Sequence, residues 1–202
     1  MFARLLAAFC LINLAVVPAR ASQVVVYLRA QAAQPSQTIE IMKRELAPLL
    51  ASAGYRVEWG SADTAAQSLV VLELRGTCGM PAGSVHSEGP DPKELASSAT
   101  SGDDVLPFAS INCGGLTRML GPALAGEAGA RRDYLYGRAM ARVFAHELYH
   151  ILGNTKEHEA EGLGKAHFTV ADLMAESVDW GLEVSSPAKT PTGIGFVPSR
   201  EN

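Results

Sequence analysis

Residues 131–152, RRDYLYGRAMARVFAHELYHIL, carry the strongest helix signal in the chain. The stretch has no proline and a single glycine, Gly137, and it is rich in residues that favour helices. Its apolar residues recur at steps of four, four and three, which predicts one buried stripe of Met140, Phe144, Leu148 and Ile151. Gly153 follows, and glycine often supplies the left-handed conformation after a helix. We therefore predict a long amphipathic helix that ends at Gly153.

Two histidines four residues apart, His146 and His150, project from the same side of this predicted helix. Their imidazole nitrogens are spaced to hold one Zn²⁺ at about 2.0–2.1 Å each. Glu147 lies on the neighbouring flank, where a carboxylate reaches a zinc-activated water and can serve as its general base. The pattern fixes only three positions, so a metal-free helix surface is the alternative interpretation.

A catalytic zinc site also needs a third protein ligand. His158 follows the helix end, where a reversing chain could bring its imidazole over the other two, and it is our first choice. Glu176 is the main competitor, because a second predicted helix over residues 170–177 could carry its carboxylate to the metal. The weaker candidates are Asp172 and Glu161. His167 is predicted either to polarise the substrate or to bind nothing.

These residues resemble the metzincin clan of zincin metallopeptidases, whose signature is His-Glu-x-x-His-x-x-Gly-x-x-His. Residues 146–153 match its first eight positions. The resemblance implies two zinc-binding histidines, Glu147 as the general base and Gly153 as the turn residue. The eleventh position is Lys156, which cannot bind zinc, and the nearby histidine is His158, two residues later. The turn after the helix is therefore predicted to be longer than in typical members.

Metzincins also carry a methionine turn below the metal, and the resemblance makes Met174 its candidate here. Thr169 and Asp172 predict a helix-starting capping box equally well, and in that interpretation Met174 is a packing residue. Residues 150–165 also resemble small uncharacterised exported HExxH proteins of bacteria, and that resemblance implies no particular substrate.

The N-terminal half predicts a parallel βαβ unit. Residues 23–28 form a β-branched, apolar run, and residues 55–59 alternate as a half-exposed strand does. An apolar stripe from Ile39 to Leu50 predicts the helix between them, capped by Ser36 and ended by Gly54. Strand, helix and strand in this order favour the parallel arrangement.

The remaining elements complete a fold of the α+β class. Residues 69–74 predict a third strand and residues 105–112 another, whereas residues 76–104 read as loop with a short edge strand near 84–86. We predict a twisted mixed sheet with the βαβ unit, the long zinc-binding helix and a small C-terminal helical subdomain. The order of elements over residues 23–153 is similar to that of metzincins, an analogy at the level of fold.

The two ends of the chain are predicted to lie outside this domain. Arg4, an apolar run over residues 5–17 and the small-x-small triplet 19–21 have the layout of a secretory signal peptide; an uncleaved anchor is the alternative. The catalytic domain then covers residues 22–184. Residues 185–202 are rich in Pro, Ser and Gly and predict a flexible tail. We expect an exported protein, secreted or periplasmic, with no stable membrane insertion after cleavage.

Removal of the predicted signal peptide leaves two cysteines, Cys78 and Cys113, in an oxidising compartment. Such a pair usually forms a disulfide, and two free buried thiols are the alternative. The net charge changes from −4 to −6, since 15 basic residues (17 less Arg4 and Arg20) face 21 acidic ones. A mildly acidic protein is not expected to bind nucleic acid or anionic membrane.

The sequence thus predicts an exported zinc metallopeptidase that acts on a peptide or protein. An edge strand from residues 82–88 or 105–111 is expected to align the substrate by strand addition. Candidate oxyanion donors are Tyr149, His167 and Tyr136. The alternative is a non-catalytic secreted zinc-binding or interaction module with a degenerate site, which Lys156 favours; a metal-free interaction domain is a third possibility.

Overall fold

A computed structural model of the chain describes residues 21–61, 63–64, 66, 68–80 and 94–176. Over these residues the chain forms the predicted α+β fold, a mixed five-stranded sheet with four α-helices. The predicted signal peptide up to residue 20, the predicted strand near 84–86 and the predicted tail lie outside the described residues. No helix in the described part of the chain is long and apolar enough to cross a bilayer.

The predicted parallel βαβ unit is confirmed. Strand β1 (Ser22–Ala30) is followed by helix α1 (Ser36–Ser52) and strand β2 (Tyr55–Gly60), and β2 pairs with β1 in parallel. Strand β3 (Leu69–Arg75) pairs in parallel with β1 on its other side. Gly54, between α1 and β2, has a φ of +80°, a conformation that glycine adopts without strain.

The predicted cap of α1 is wrong. Ser36 is the first residue of the helix, and Pro35 occupies the N-cap position without a side-chain hydrogen bond. Proline is well suited to the start of a helix because it has no N–H group to leave unsatisfied.

An antiparallel hairpin completes the sheet, which has the order β2-β1-β3-β5-β4. The hairpin consists of strand β4 (Ala96–Ser101) and strand β5 (Asp104–Asn112). The sequence predicts β5, but β4 falls in a stretch predicted as loop, because ASSATS has no alternating apolar residues. The edge strand proposed at residues 105–111 is wrong as well: β5 lies between β3 and β4, and the edges of the described sheet are β4 and β2.

The helices α2 (Cys113–Leu124) and α3 (Gly129–Gly153) follow the sheet, and α4 (Val170–Met174) comes after a long loop. Sequence analysis did not predict α2, whose Gly114, Gly115 and Pro122 are weak helix formers. Its N-cap residue is Asn112, whose side chain accepts a hydrogen bond from the Gly115 N–H.

Helix α3 is the central helix of the protein. Every residue from Leu135 to Ala145 is buried, and the predicted stripe residues Met140, Phe144 and Leu148 are fully so. They share one core with the alternate residues of β3, namely Val70, Leu72 and Leu74. The packing on one side of the sheet therefore fixes the axial position of α3.

The end of α3 differs from the prediction by one residue. Gly153 is still helical, and the left-handed residue is Asn154, with a φ of 44°. Asparagine tolerates this conformation better than most residues. Its side chain also accepts a hydrogen bond from the Val105 N–H at 2.8 Å, so a contact with β5 stabilises the turn.

The two cysteines lie at the distance of a disulfide, as predicted. Cys78 and Cys113 are bridged with a Cα–Cα separation of 4.6 Å, and both are fully buried. The bridge joins the segment after β3 to the first residue of α2. The Tyr136 hydroxyl donates to the Cys113 carbonyl at 3.0 Å, which connects the same point to α3.

Candidate metal centre

Three histidines converge at the C-terminal end of α3. The ligand nitrogens of His146, His150 and His158 all lie within 4.8 Å of one another, so the group could hold a metal ion. His146 and His150 are one helical turn apart, and His158 comes from the loop after the helix. The ring centroid of His158 lies 5.4 Å from that of His146 and 4.8 Å from that of His150. His150 is buried and His158 is exposed, so the third imidazole closes the group from the solvent side.

The hydrogen bonds of the two helix histidines fix which ring nitrogens are free. His146 Nδ1 lies 2.6 Å from the Leu163 carbonyl oxygen, and His150 Nδ1 lies 2.8 Å from that of Thr155. A carbonyl oxygen only accepts hydrogen bonds, so each Nδ1 must carry the proton. Each neutral ring then has an unprotonated Nε2, and carbonyl contacts of this kind orient metal-binding histidines in known sites.

The two Nε2 atoms face each other at a separation of 3.0 Å. Burial lowers the pKa of His146 to about 4 and also lowers that of His150, because desolvation disfavours the charged ring. Both rings are therefore neutral at pH 7, and two lone pairs cannot form a hydrogen bond with each other. One metal cation can accept both lone pairs, because two nitrogens that each lie about 2.0–2.1 Å from the same ion are roughly 3.3 Å apart.

The loop between α3 and α4 supplies both carbonyl partners as well as His158. Two residues of this loop contact the β4–β5 hairpin and hold its path. The Asn154 side chain accepts a hydrogen bond from the Val105 N–H of β5, and the Lys156 ammonium donates one to the Gly102 carbonyl. Lys156 occupies the eleventh position of the metzincin signature, and here it positions the loop that brings in the histidine two residues later.

Further along this loop, a short turn packs closely against α3. A short 3₁₀ turn, Gly162–Gly164, contains the buried Leu163, whose carbonyl oxygen accepts the hydrogen bond from His146 Nδ1. A Cβ atom on Gly164 would lie 3.0 Å from Cζ of Tyr149. The absence of a side chain at Gly164 therefore lets the turn reach α3.

Glu147 is the buried acid beside the histidines. Only 4 % of the residue is exposed, and its Oε2 accepts a hydrogen bond of 2.6 Å from the Ser98 hydroxyl of β4. Burial is the main reason why the pKa of Glu147 is raised to about 7. The negative charge of Glu94 acts in the same direction, whereas the hydrogen bond from Ser98 opposes it. A carboxyl group with this pKa can exchange a proton near neutral pH.

A cleft of about 820 Å³ contains this group of side chains. It runs between the edge strand β4, helix α2 and the loop after α3, with the three histidines and Glu147 on its floor. Apolar side chains line much of the remaining wall: Leu95, Met119, Pro122, Val143, Phe168 and Val170. Phe168 also stands edge-on to the His146 ring, with a centroid distance of 5.4 Å.

The competing third ligands lie elsewhere. The Glu176 carboxylate contacts Arg131 at 3.4 Å, and Arg131 precedes His146 by fifteen residues, about 22 Å along the helix axis. Glu176 is therefore paired near the start of α3 and does not belong to the histidine group. Asp172 bonds to Lys165 at 2.7 Å and to Thr169, and Glu161 is exposed outside the histidine group.

Met174 belongs to a short capped helix. Thr169 and Asp172 form the capping box of α4, so the helix interpretation of this segment is confirmed. The Met174 carbonyl accepts a hydrogen bond from Arg138, which precedes His146 by eight residues, about 12 Å along α3. Met174 packs against the core, as the helix interpretation predicts.

The three candidate oxyanion donors have different surroundings. The Tyr136 hydroxyl is buried near the disulfide, where it contacts Cys113 and Thr117, so it cannot reach the cleft. The Tyr149 hydroxyl donates to Glu159 at 3.2 Å, and Tyr149 is not part of the cleft wall. Only His167 lines the cleft, as an exposed residue of the loop before α4.

Sequence analysis missed three participants in the site. Two are the backbone carbonyls of Thr155 and Leu163, for which no residue type gives a signal. The third is Ser98, in a serine-rich stretch predicted as loop. No protein-family model matches the chain, and no curated protein matches it in sequence. Function must therefore be argued from this site.

Proposed function

We propose that the protein is an exported zinc-dependent metallopeptidase with His146, His150 and His158 as ligands and Glu147 as the general base. The observation that carries the proposal is the pair of Nε2 atoms facing each other at 3.0 Å beside a buried carboxylate. Three histidines in an open cleft suit zinc, because catalytic zinc sites combine three protein ligands with one position for water. The HExxH resemblance supports the same class.

The chemistry follows from the position of the carboxylate. Zinc bound to the three histidines would supply a water with a pKa near 7 and a positive charge for the developing oxyanion. Glu147 accepts the proton as the water attacks the peptide carbonyl. It then delivers that proton to the leaving amine. His167 is the candidate second donor to the oxyanion, since it lines the cleft.

The cleft is suited to an extended peptide. Strand β4 lies at the edge of the described sheet and along the cleft, so its main chain can pair with a substrate strand. Ser98, in the middle of β4, contacts Glu147, which would place the scissile bond near that register position. The apolar wall from α2 and the loop before α4 favours a large apolar side chain in the substrate.

A non-catalytic zinc-binding module is the alternative. Two observations favour it: His158 is exposed, and the eleventh position of the signature is a lysine bonded to Gly102. In this case zinc would stabilise the loop after α3 without turnover. Removal of zinc would then lower the stability of a protein that has no peptidase activity.

The Glu147→Gln variant tests the proposal. Zinc content and hydrolysis of casein and of a peptide library are measured for the parent and for the variant. We expect one zinc ion in each and a loss of activity in Glu147→Gln of at least about 100-fold, the scale of general base catalysis. Asp133→Asn, another carboxylate-to-amide change on α3, is the control and should keep full activity. Zinc without activity in the parent would favour the binding module, and equal activity in the parent and Glu147→Gln would refute the mechanism.

Export is tested separately. We expect the secreted or periplasmic product of the full chain to begin at Ser22 and to contain the Cys78–Cys113 disulfide, both measurable by mass spectrometry. A product that keeps residues 1–21 and remains with the membrane fraction would instead indicate an uncleaved anchor.

A further inference from the structure

Ser98 makes a contact that the metallopeptidase mechanism above does not require. Its hydroxyl donates to Glu147 Oε2 at 2.6 Å, and it also lies 3.3 Å from the Glu147 carbonyl oxygen. The two residues are 49 positions apart, so the contact joins the edge strand to the centre of the site. Within the described part of the chain, no other hydrogen bond to the Glu147 side chain is formed.

We propose that Ser98 is a positioning residue for the general base: its hydroxyl holds one oxygen of the Glu147 carboxylate and leaves the other to take the proton. The proposal rests on the proposed function. Ser98 acts through Glu147 and takes no part in proton transfer itself.

The geometry explains why this hydrogen bond can orient the Glu147 carboxylate. The terminal torsion of a glutamate side chain is broad, so the carboxylate plane is set by its partners rather than by a preferred rotamer. An O–H···O⁻ bond of 2.5–2.7 Å is among the stronger hydrogen bonds in proteins. Glu147 is buried, so water has little access to replace the hydroxyl. Loss of the Ser98 hydroxyl would therefore leave the carboxylate free to rotate away from the attacking water.

The position of Ser98 on the edge strand adds a second consequence. A peptide paired with β4 would contact the backbone of the same strand that holds the general base. The register of the bound peptide and the orientation of Glu147 are then set by one element. A loss of this contact is expected to reduce turnover more than substrate binding, because the β4 main chain is unchanged.

Three variants test the proposal: Ser98→Ala, Ser98→Thr and Ser110→Ala. Ser98→Ala should lower kcat by about 10- to 100-fold, as expected for loss of a hydrogen bond to a charged group, with KM within about twofold of the parent. Ser98→Thr keeps the hydroxyl and should restore most of kcat. All three variants should bind zinc as the parent does, since Ser98 contacts none of the histidines.

Ser110→Ala is the matched control. Ser110 lies on β5, its hydroxyl pairs with that of Ser97 at 3.2 Å, and it is not among the residues that line the cleft, so the change removes a serine hydroxyl from the same hairpin without touching Glu147. Its kcat should stay within about twofold of the parent. A Ser98→Ala variant with parental kcat, or an equal loss in Ser110→Ala, would overturn the proposal.

Crystal structures of the zinc-loaded parent and Ser98→Ala separate this proposal from the proposed function. An inactive parent would refute peptidase activity, and the structures would still decide the positioning role. We expect the Glu147 carboxylate to change its orientation or to show several orientations in Ser98→Ala. The same single orientation in both structures would contradict the role of Ser98.

Discussion

Gly137 of α3 lies against Ile41 of α1 so closely that a Cβ atom on the glycine would stand 2.7 Å from Ile41 Cγ2. The same atom would be 2.8 Å from the Thr38 carbonyl oxygen, which belongs to the backbone and cannot rotate aside. The single glycine within the long helix therefore permits the close crossing of α1 and α3. Because α3 carries His146 and His150, this contact also helps to fix the position of these two histidines in the cleft.

Gly137→Ala is expected to destabilise the fold by about 1–3 kcal/mol, the usual cost of overpacking a filled core. The free energy of unfolding in urea is the measurement. Gly129→Ala is the control, because a Cβ atom there has no neighbour within 4 Å. Equal stability of the two variants would mean that α1 and α3 separate at no cost.

Removal of single histidines should affect zinc binding in a graded way. A zinc concentration of about 100 times Kd stabilises a folded protein by about 2.7 kcal/mol, which is seen as a rise in Tm. We expect this rise in the parent and in His167→Ala, its near absence in His146→Ala and His150→Ala, and a smaller rise in His158→Ala. A full rise in His158→Ala would show that another group completes the site.

Gly164→Ala should weaken zinc binding without removing any ligand. A Cβ atom at this position would lie 3.0 Å from the Tyr149 ring and 3.1 Å from Glu159 Cγ, so the turn and these side chains have to move apart by a few tenths of an ångström. The shift would move the Leu163 carbonyl that orients His146. Loss of such an outer contact typically reduces metal affinity about 10- to 100-fold. A chelator competition assay measures this, and Gly126→Ala, with no neighbour within 4 Å, should behave as the parent.

The contribution of Asp172 to the stability of the fold should be lost at acid pH. Its hydrogen bond from Lys165 is the main reason why the pKa of Asp172 is lowered to about 2, from a usual value of 3.8; the bonds from Thr169 contribute in the same direction. A lowered carboxyl pKa stabilises the fold above the unfolded pKa, and this contribution disappears as the pH falls from about 4 to 2. Asp172→Asn should therefore cost about 1 kcal/mol at pH 6, as the loss of a helix cap does, and almost nothing at pH 2.

The matching variant is Lys165→Met, which removes the partner and leaves the carboxylate. The Asp172→Asn change is made both in the parent and in Lys165→Met, and its effect on the free energy of unfolding is measured as a function of pH. We expect this effect to depend less on pH in Lys165→Met than in the parent. If the effect shows the same pH dependence in both, the capping bonds to Thr169 rather than the ion pair lower the Asp172 pKa.

The local elements could be predicted from the sequence alone. The helix over residues 131–152, the βαβ unit and the pairing of His146 with His150 depend on periods of 3.6 and 2, or on residues four apart, and these are properties of neighbouring residues. The disulfide was predictable by elimination, since only two cysteines follow the predicted signal peptide.

Tertiary structure decided the rest, because it depends on contacts between distant residues. The approach of His158 to His146 and His150 follows from the loop path, which Asn154 and Lys156 set by bonding to the β4–β5 hairpin some 50 residues earlier. Strand β4 gives no apolar pattern, and its strand conformation comes from pairing with β5. Ser98 therefore had no signal in the sequence. Its hydroxyl acquires a role only where the sheet edge meets Glu147.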